Sequence, residues 1–281
     1  YWGNVAGGLI DRGAEYNIHV KCVGFSELNL EKQVYALENA VLSGADGIIT
    51  VAYENSESFR QAMREAEEAH IPVVFVDSYI PELGQLCYIG SDNYTAGELA
   101  GETLAEKCGG KGKAAVITSY SSNANQAERI AGFQEALDGF PDMEIVEILE
   151  GESKAALLKQ RITNMLEEHP EIDALFCAEG YGTSSMGYLL QENGEKLSNL
   201  NLVCFDGSQV VNQMVKENEA ISMVLQNPYE MGCQAVETLQ NYFSGDEEDI
   251  EDQYIQVEIV DREHPADREY SRREDILWHM Y

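Results

Sequence analysis

Ile71-Pro72-Val73-Val74-Phe75-Val76-Asp77 and Leu202-Val203-Cys204-Phe205-Asp206 are the stretches that decide the fold. Each is an apolar run without polar alternation, the pattern of a strand buried on both faces of a parallel sheet, and each closes on an acid. A carboxylate at that point opens off the carboxyl end of its strand, into the crevice where α/β sheets receive ligands. Finding this twice predicts two lobes presenting Asp77 and Asp206 to one small molecule.

Outward from Asp77, apolar runs at 18–23, 47–52 and 71–76 alternate with helical periodicity at 30–43 and 56–69, a βαβ rhythm. The rhythm returns with strands expected at 114–118, 143–149, 172–177 and 202–205, joined by helices at 126–137, 154–168 and 184–192. The residues closing successive strands fall at 24, 51 and 77 in the first half and at 149, 177 and 206 in the second, so the spacing repeats. Each half therefore reads as a doubly wound lobe. The second half opens on a strand and the first on a helix, at 5–16, so the first lobe is expected to lack its first strand here. Trimming of a longer chain is the favoured explanation, because an inner gap would leave two strand ladders unpaired.

The chain has 281 residues, enough for two lobes with a core each. Lys+Arg 18 against Asp+Glu 50 gives a formal charge of −32, which repels the phosphate backbone of nucleic acids and anionic membrane surfaces. The acidic run 245–252 reads as a solvent loop before a strand at 254–260, since calcium-loop spacing is missing. Six cysteines without CxxC spacing, four of them in or beside strand-like runs, read as small buried hydrophobes, not a disulfide framework. The five histidines lack metal-ligand spacing, and no GxSxG, HExxH, P-loop or GxGxxG motif is present. The expectation is therefore a protein without metal, cofactor or catalytic activity.

Further polar groups belong beside the two aspartates. Arg129, early in the first helix of the second lobe, offers a planar fork of donors that complements carboxylate acceptors, a set suited to a polyhydroxylated ligand. Tyr1-Trp2 precede the corresponding helix of the first lobe, where rings can cover the apolar face of a sugar. Gln226 follows a strand at 220–225 and lies where the chain is expected to return to the first lobe; Ser91-Asp92-Asn93 holds the analogous first crossing, where Asp or Asn also serves as a helix cap. Glu179 and Tyr181, in the glycine loop Glu179-Gly180-Tyr181-Gly182 after the strand at 172–177, are expected to supply one polar side chain to the cleft.

With Val76-Asp77, Ser91-Asp92-Asn93, Arg129-Ile130-Ala131-Gly132-Phe133, Phe205-Asp206-Gly207 and Gln226-Asn227-Pro228 in this order, the chain resembles the type 1 periplasmic-binding-protein fold over about residues 1–260. The likeness is strongest to the ribose and other monosaccharide-binding proteins of ABC transporters. It implies sugar-hydroxyl acceptors at Asp77 and Asp206, an arginine donor at Arg129, an amide at Gln226 and stacking rings at Tyr1 and Trp2. It also implies two lobes joined by a three-crossing hinge: residues 1–91 with 227–255, and 92–226 with 256–281. Departures from the ribose pattern, Ser78 for an arginine, Ala52-Tyr53 for an asparagine and Glu179-Gly180 for an Asn-Asp pair, point to a different sugar.

The expected function is capture of a small sugar and its delivery to the membrane permease of an ABC transporter, by a monomer outside the cytoplasm. The alternative is the sugar-sensing core of a transcription regulator or signalling receptor. The cation- and aromatic-rich tail 261–281 is expected to pack on the second lobe.

Overall fold

The computed structural model describes residues 1–25, 29–151, 155–194, 197, 199–207, 209–245 and 250–266. Among these the chain divides into two compact units, Tyr1–Ser91 with Asn227–Ile255, and Asp92–Gln226 with the residues that follow from Gln256.

The first unit runs α1 (Trp2–Glu15), α2 (Leu30–Leu42), β1 (Ile48–Thr50), α3 (Glu57–Glu68), β2 (Val73–Val76) and β3 (Cys87–Ser91), then takes α9 (Pro228–Ser244) and β9 (Gln253–Ile255) from later in the chain. Its strands are parallel in the order β1-β2-β3-β9. Because successive side chains on a strand face opposite ways, the sheet carries two cores. Val73 and Phe75 pack with α2 and α3, and Val74 and Val76 with Val5 of α1 and Met231, Ala235 and Leu239 of α9.

The second unit contains α4 (Asn93–Lys107), β4 (Lys111–Thr118), α5 (Ala124–Asp138), β5 (Asp142–Glu150), α6 (Ala155–Glu168), β6 (Ala174–Cys177), α7 (Gly180–Asn193), β7 (Asn201–Phe205), α8 (Gln209–Glu217), β8 (Ile221–Leu225) and β10 (Glu258–Val260). The order is β10-β8-β7-β6-β4-β5, parallel except for β10 against β8. Helices α4 and α5 cover one face through Ala100, Leu104, Ile130 and Phe133; α6, α7 and α8 cover the other through Leu158, Ile162, Met186 and Val211. The loops leaving β4 and β6 thus depart to opposite faces, which makes the gap between these neighbouring strands the topological switch point of the sheet.

Three expectations change. Residues 18–23 form no strand beyond a single bridge at Val23, because β1 is the edge of its sheet and no ladder lies between them. The strand expected at 254–260 is two strands in different sheets, β9 and β10, divided where the chain leaves the first unit. Helix α8 was not anticipated. Residues 246–249 of the acidic run and 267–281 of the tail lie outside the described residues.

Each unit holds one helix pair at backbone contact distance, and glycine is what permits it. A Cβ on Gly132 of α5 would stand 2.0 Å from the Tyr94 carbonyl oxygen and 2.9 Å from the Glu98 nitrogen of α4. A Cβ on Gly8 of α1 would stand 2.0 Å from the Tyr229 carbonyl oxygen and 2.9 Å from the Cys233 nitrogen of α9. The neighbours are backbone and cannot swing away. Gly132→Ala is therefore expected to lower the unfolding free energy by about 1–3 kcal/mol, the usual cost of overpacking. Gly3→Ala, on an open stretch of α1, should raise it by about 0.5–1 kcal/mol. Urea denaturation of both variants checks the contrast.

Candidate functional site

In the first unit the site begins with the backbone of Asp77. Its φ of 70° is left-handed, a conformation that Asp tolerates better than most residues, and it turns the chain sharply off the end of β2. The turn is held by Asp77 N donating to the Ile89 carbonyl at 3.0 Å and by the Tyr88 hydroxyl donating to the Asp77 carbonyl at 3.0 Å. The side chain is nearly buried, and its Oδ1 accepts from the Tyr1 hydroxyl at 2.6 Å. The Tyr1 ring meets Trp2 edge-on at 5.2 Å, and Trp2 meets Tyr53 edge-on at 6.3 Å. Tyr1 and Trp2 remain 37% and 38% exposed, so an oriented carboxylate and open aromatic surface lie together. Ser78 and Ala52, which belong to two of the three departures noted in the sequence, are buried, and Ala52 N donates to the Ser78 carbonyl at 3.1 Å.

The second unit repeats the device. Asp206 has φ 62°, and its N donates to the Val224 carbonyl at 3.0 Å, as Asp77 does to Ile89. Both carboxylate oxygens accept from Gln226 Nε2, at 3.0 and 3.1 Å. The Gln226 Oε1 in turn accepts from Arg129 Nη2 at 3.4 Å. Arg129 is 2% exposed. Its Nε donates to Asn93 Oδ1 at 2.9 Å and its Nη1 to the Ala178 carbonyl at 3.0 Å, while the guanidinium lies 3.6 Å over the Phe205 ring. A guanidinium has five N–H donors, so two have no acceptor among the described residues.

Glu179 and Tyr181 sit differently from their sequence reading. The expected glycine loop is the first turn of α7, and Glu179 is its N-cap, accepting from Tyr181 N through Oε2 and from Gly182 N through Oε1, both at 2.7 Å. The carboxylate is therefore occupied by its own helix. Tyr181 is 43% exposed, and its hydroxyl makes no hydrogen bond among the described residues. Asp206, expected to serve a ligand and not the core, also holds Gln226 in place.

Burial pushes the Asp206 carboxyl above the usual aspartate range, and the Arg129 charge and the Gln226 amide hold back part of that rise. Burial raises Glu179 likewise; its two backbone bonds oppose the shift and the Asp206 charge adds to it. Among the described residues no cluster of His, Cys, Asp or Glu is arranged to hold a metal ion, and no helix is long and apolar enough to cross a membrane.

The structure thus joins Arg129, Asp206 and Gln226 in one hydrogen-bonded network, and in the first unit hydrogen-bonds Tyr1 to Asp77 with the Trp2 ring packed edge-on against Tyr1. Sequence reasoning missed Phe205 and the partnership of Asn93 with Arg129. Asp92 takes the capping role, its Oδ1 accepting from Thr95 N at 3.0 Å, and this releases the next residue for the arginine. An Asn directly after a capping Asp was the available signal.

Two doubly wound units, each ending an inner strand on a left-handed aspartate, define a binding protein of the type 1 periplasmic class. The family described as periplasmic binding protein domain matches residues 1–247, and the chain belongs to it. It is 27% identical over 233 residues to the D-apiose import binding protein of Paraburkholderia graminis, covering 80% of this chain and 74% of that one. Among solved structures it is similar to GanP, a glucose-galactose binding protein from Geobacillus stearothermophilus, with a TM-score of 0.86, 26% identity and coverage of 94% and 93%. An ABC-transporter solute-binding protein from Burkholderia graminis in complex with D-arabinose gives 0.85, 25%, 92% and 90%.

The raised Asp206 carboxyl has a signed consequence. An acid whose folded pKa exceeds its unfolded value binds more protons in the native state, so its contribution to stability falls as pH rises through that window. The Asp206 side chain of the unliganded protein should titrate above the ordinary value of about 3.9, as read by carboxyl carbon NMR. Asp206→Asn should also gain stability relative to the parent as pH rises above the ordinary aspartate value of about 3.9.

Proposed function

We propose that the protein is the solute-binding component of an ABC importer that captures a neutral monosaccharide, with both units contributing to one binding site. The observation that carries this reading is the buried guanidinium of Arg129, held by three protein acceptors yet keeping two N–H donors without an acceptor among the described residues, in one network with the Asp206 carboxylate. A fixed donor beside a fixed acceptor suits hydroxyl groups, which donate and accept at once. The aromatic surface of Tyr1 and Trp2 suits the apolar face of a sugar ring.

The relatives support the same chemistry. Their names and complexes include D-apiose, glucose, galactose and D-arabinose. Ser78 and Ala52 stand where ribose-type proteins carry an arginine and an asparagine, which favours a sugar other than ribose. On this reading the units close over the ligand, water leaves the site, and each hydrogen bond strengthens in the lower dielectric. The permease of the importer recognises the closed monomer outside the cytoplasm.

Calorimetric titration with D-apiose, D-arabinose, glucose, galactose and ribose tests the reading. At least one should bind. Asp77→Asn and Asp206→Asn should each weaken that binding by about 10- to 150-fold, the value of a charge-assisted hydrogen bond at about 1.5–3 kcal/mol. Unchanged affinity in both variants, or no binding of any monosaccharide, would refute it.

A further inference from the structure

The glycine contacts that close the two helix pairs also align the units residue by residue. A Cβ on Gly8 would meet Tyr229 and Cys233 at the same two distances at which a Cβ on Gly132 would meet Tyr94 and Glu98. Six residues before Gly8 lies Trp2, and six before Gly132 lies Gln126. The second unit therefore places an amide side chain where the first presents an aromatic ring of its candidate site.

Gln126 is 7% exposed and its orientation is locked. Its Oε1 accepts from the Thr118 hydroxyl, from Ser119 N at 2.9 Å and from Tyr120 N at 3.1 Å. Backbone N–H groups only donate, so these contacts decide which end of the amide is oxygen. Nε2 makes no hydrogen bond among the described residues, and it is not among the buried atoms left without a partner, so it reaches solvent. Thr118 ends β4, and Ala178, whose carbonyl accepts from Arg129, follows the end of β6. Gln126 and Arg129 are three residues apart on one face of α5, so they cover the two strand ends that flank the switch point of the sheet.

We infer that Gln126 is a further ligand-binding residue, its clamped amide donating through Nε2 to an oxygen of the bound sugar beside the one taken by Arg129. This rests on the monosaccharide reading above. A donor with no acceptor capacity left selects a hydroxyl or ring oxygen at that position and rejects an N–H group. Because the oxygen end is already spent on three protein donors, the amide cannot flip to suit another ligand.

Gln126→Glu separates this role from a structural one. The carboxylate keeps an oxygen for the three donors of the β4–α5 turn, so the thermal midpoint should be retained. The Nε2 donors are replaced by an oxygen that repels a ring oxygen, or a hydroxyl whose own proton is already given to a carboxylate, so affinity for the monosaccharide that binds best should fall by about tenfold or more. In the unsubstituted protein, the side-chain amide resonances of Gln126 should shift on saturation with that sugar, a readout that needs no variant. Unchanged affinity in a folded Gln126→Glu protein, or amide resonances that do not move, overturns the inference while leaving the monosaccharide reading intact. Failure of the parent protein to bind any monosaccharide removes both.

Discussion

A buried guanidinium is the constraint on which the second unit depends. Taking Arg129 out of water is expensive unless its charge is matched by hydrogen bonds and a nearby anion. Its acceptors come from α4 (Asn93), the residue after β6 (Ala178) and the residue after β8 (Gln226), and its face rests on Phe205 at the end of β7. The side chain thereby holds the carboxyl ends of three strands and the start of a helix in one register. Stability and the shape of the candidate site are then the same matter, because the groups that satisfy the arginine also position Asp206.

The left-handed backbone at Asp77 and Asp206 is the second constraint, and it acts identically in both units. Each residue donates its N–H to the next strand, at Ile89 or Val224, while its φ swings the side chain off the sheet. What differs is the group that holds each carboxylate. A phenol from Tyr1 serves Asp77 and an amide from Gln226 serves Asp206. The group of candidate residues in the first unit is therefore aromatic and that in the second amide-rich.

Much of this was legible in the residues. The two apolar runs closing on aspartate have no other economical reading, and the repeated spacing of strand ends exposed the duplication. Arg129 stood out as a planar fork of donors early in the first helix of the second lobe. The rest depended on neighbours that a sequence does not display. Residues 18–23 carry strand composition, yet strand structure needs an adjacent ladder. Glu179-Gly180-Tyr181-Gly182 looks like a glycine loop because glycine disfavours helix, but the two hydrogen bonds that the Glu179 carboxylate accepts stabilise the first turn of α7 and decide the outcome. Asn93 was hidden by its capping neighbour, and the role of Gln126 emerges only once its oxygen is seen to be fully engaged.

The central claim is that the two aspartates act on one ligand. A crystal structure of the protein with its tightest-binding monosaccharide tests it most directly. The account predicts both carboxylates at hydrogen-bond distance, about 2.5–3.0 Å, from hydroxyl oxygens of a single sugar molecule. A sugar held by only one of the two, or bound away from both, would contradict it.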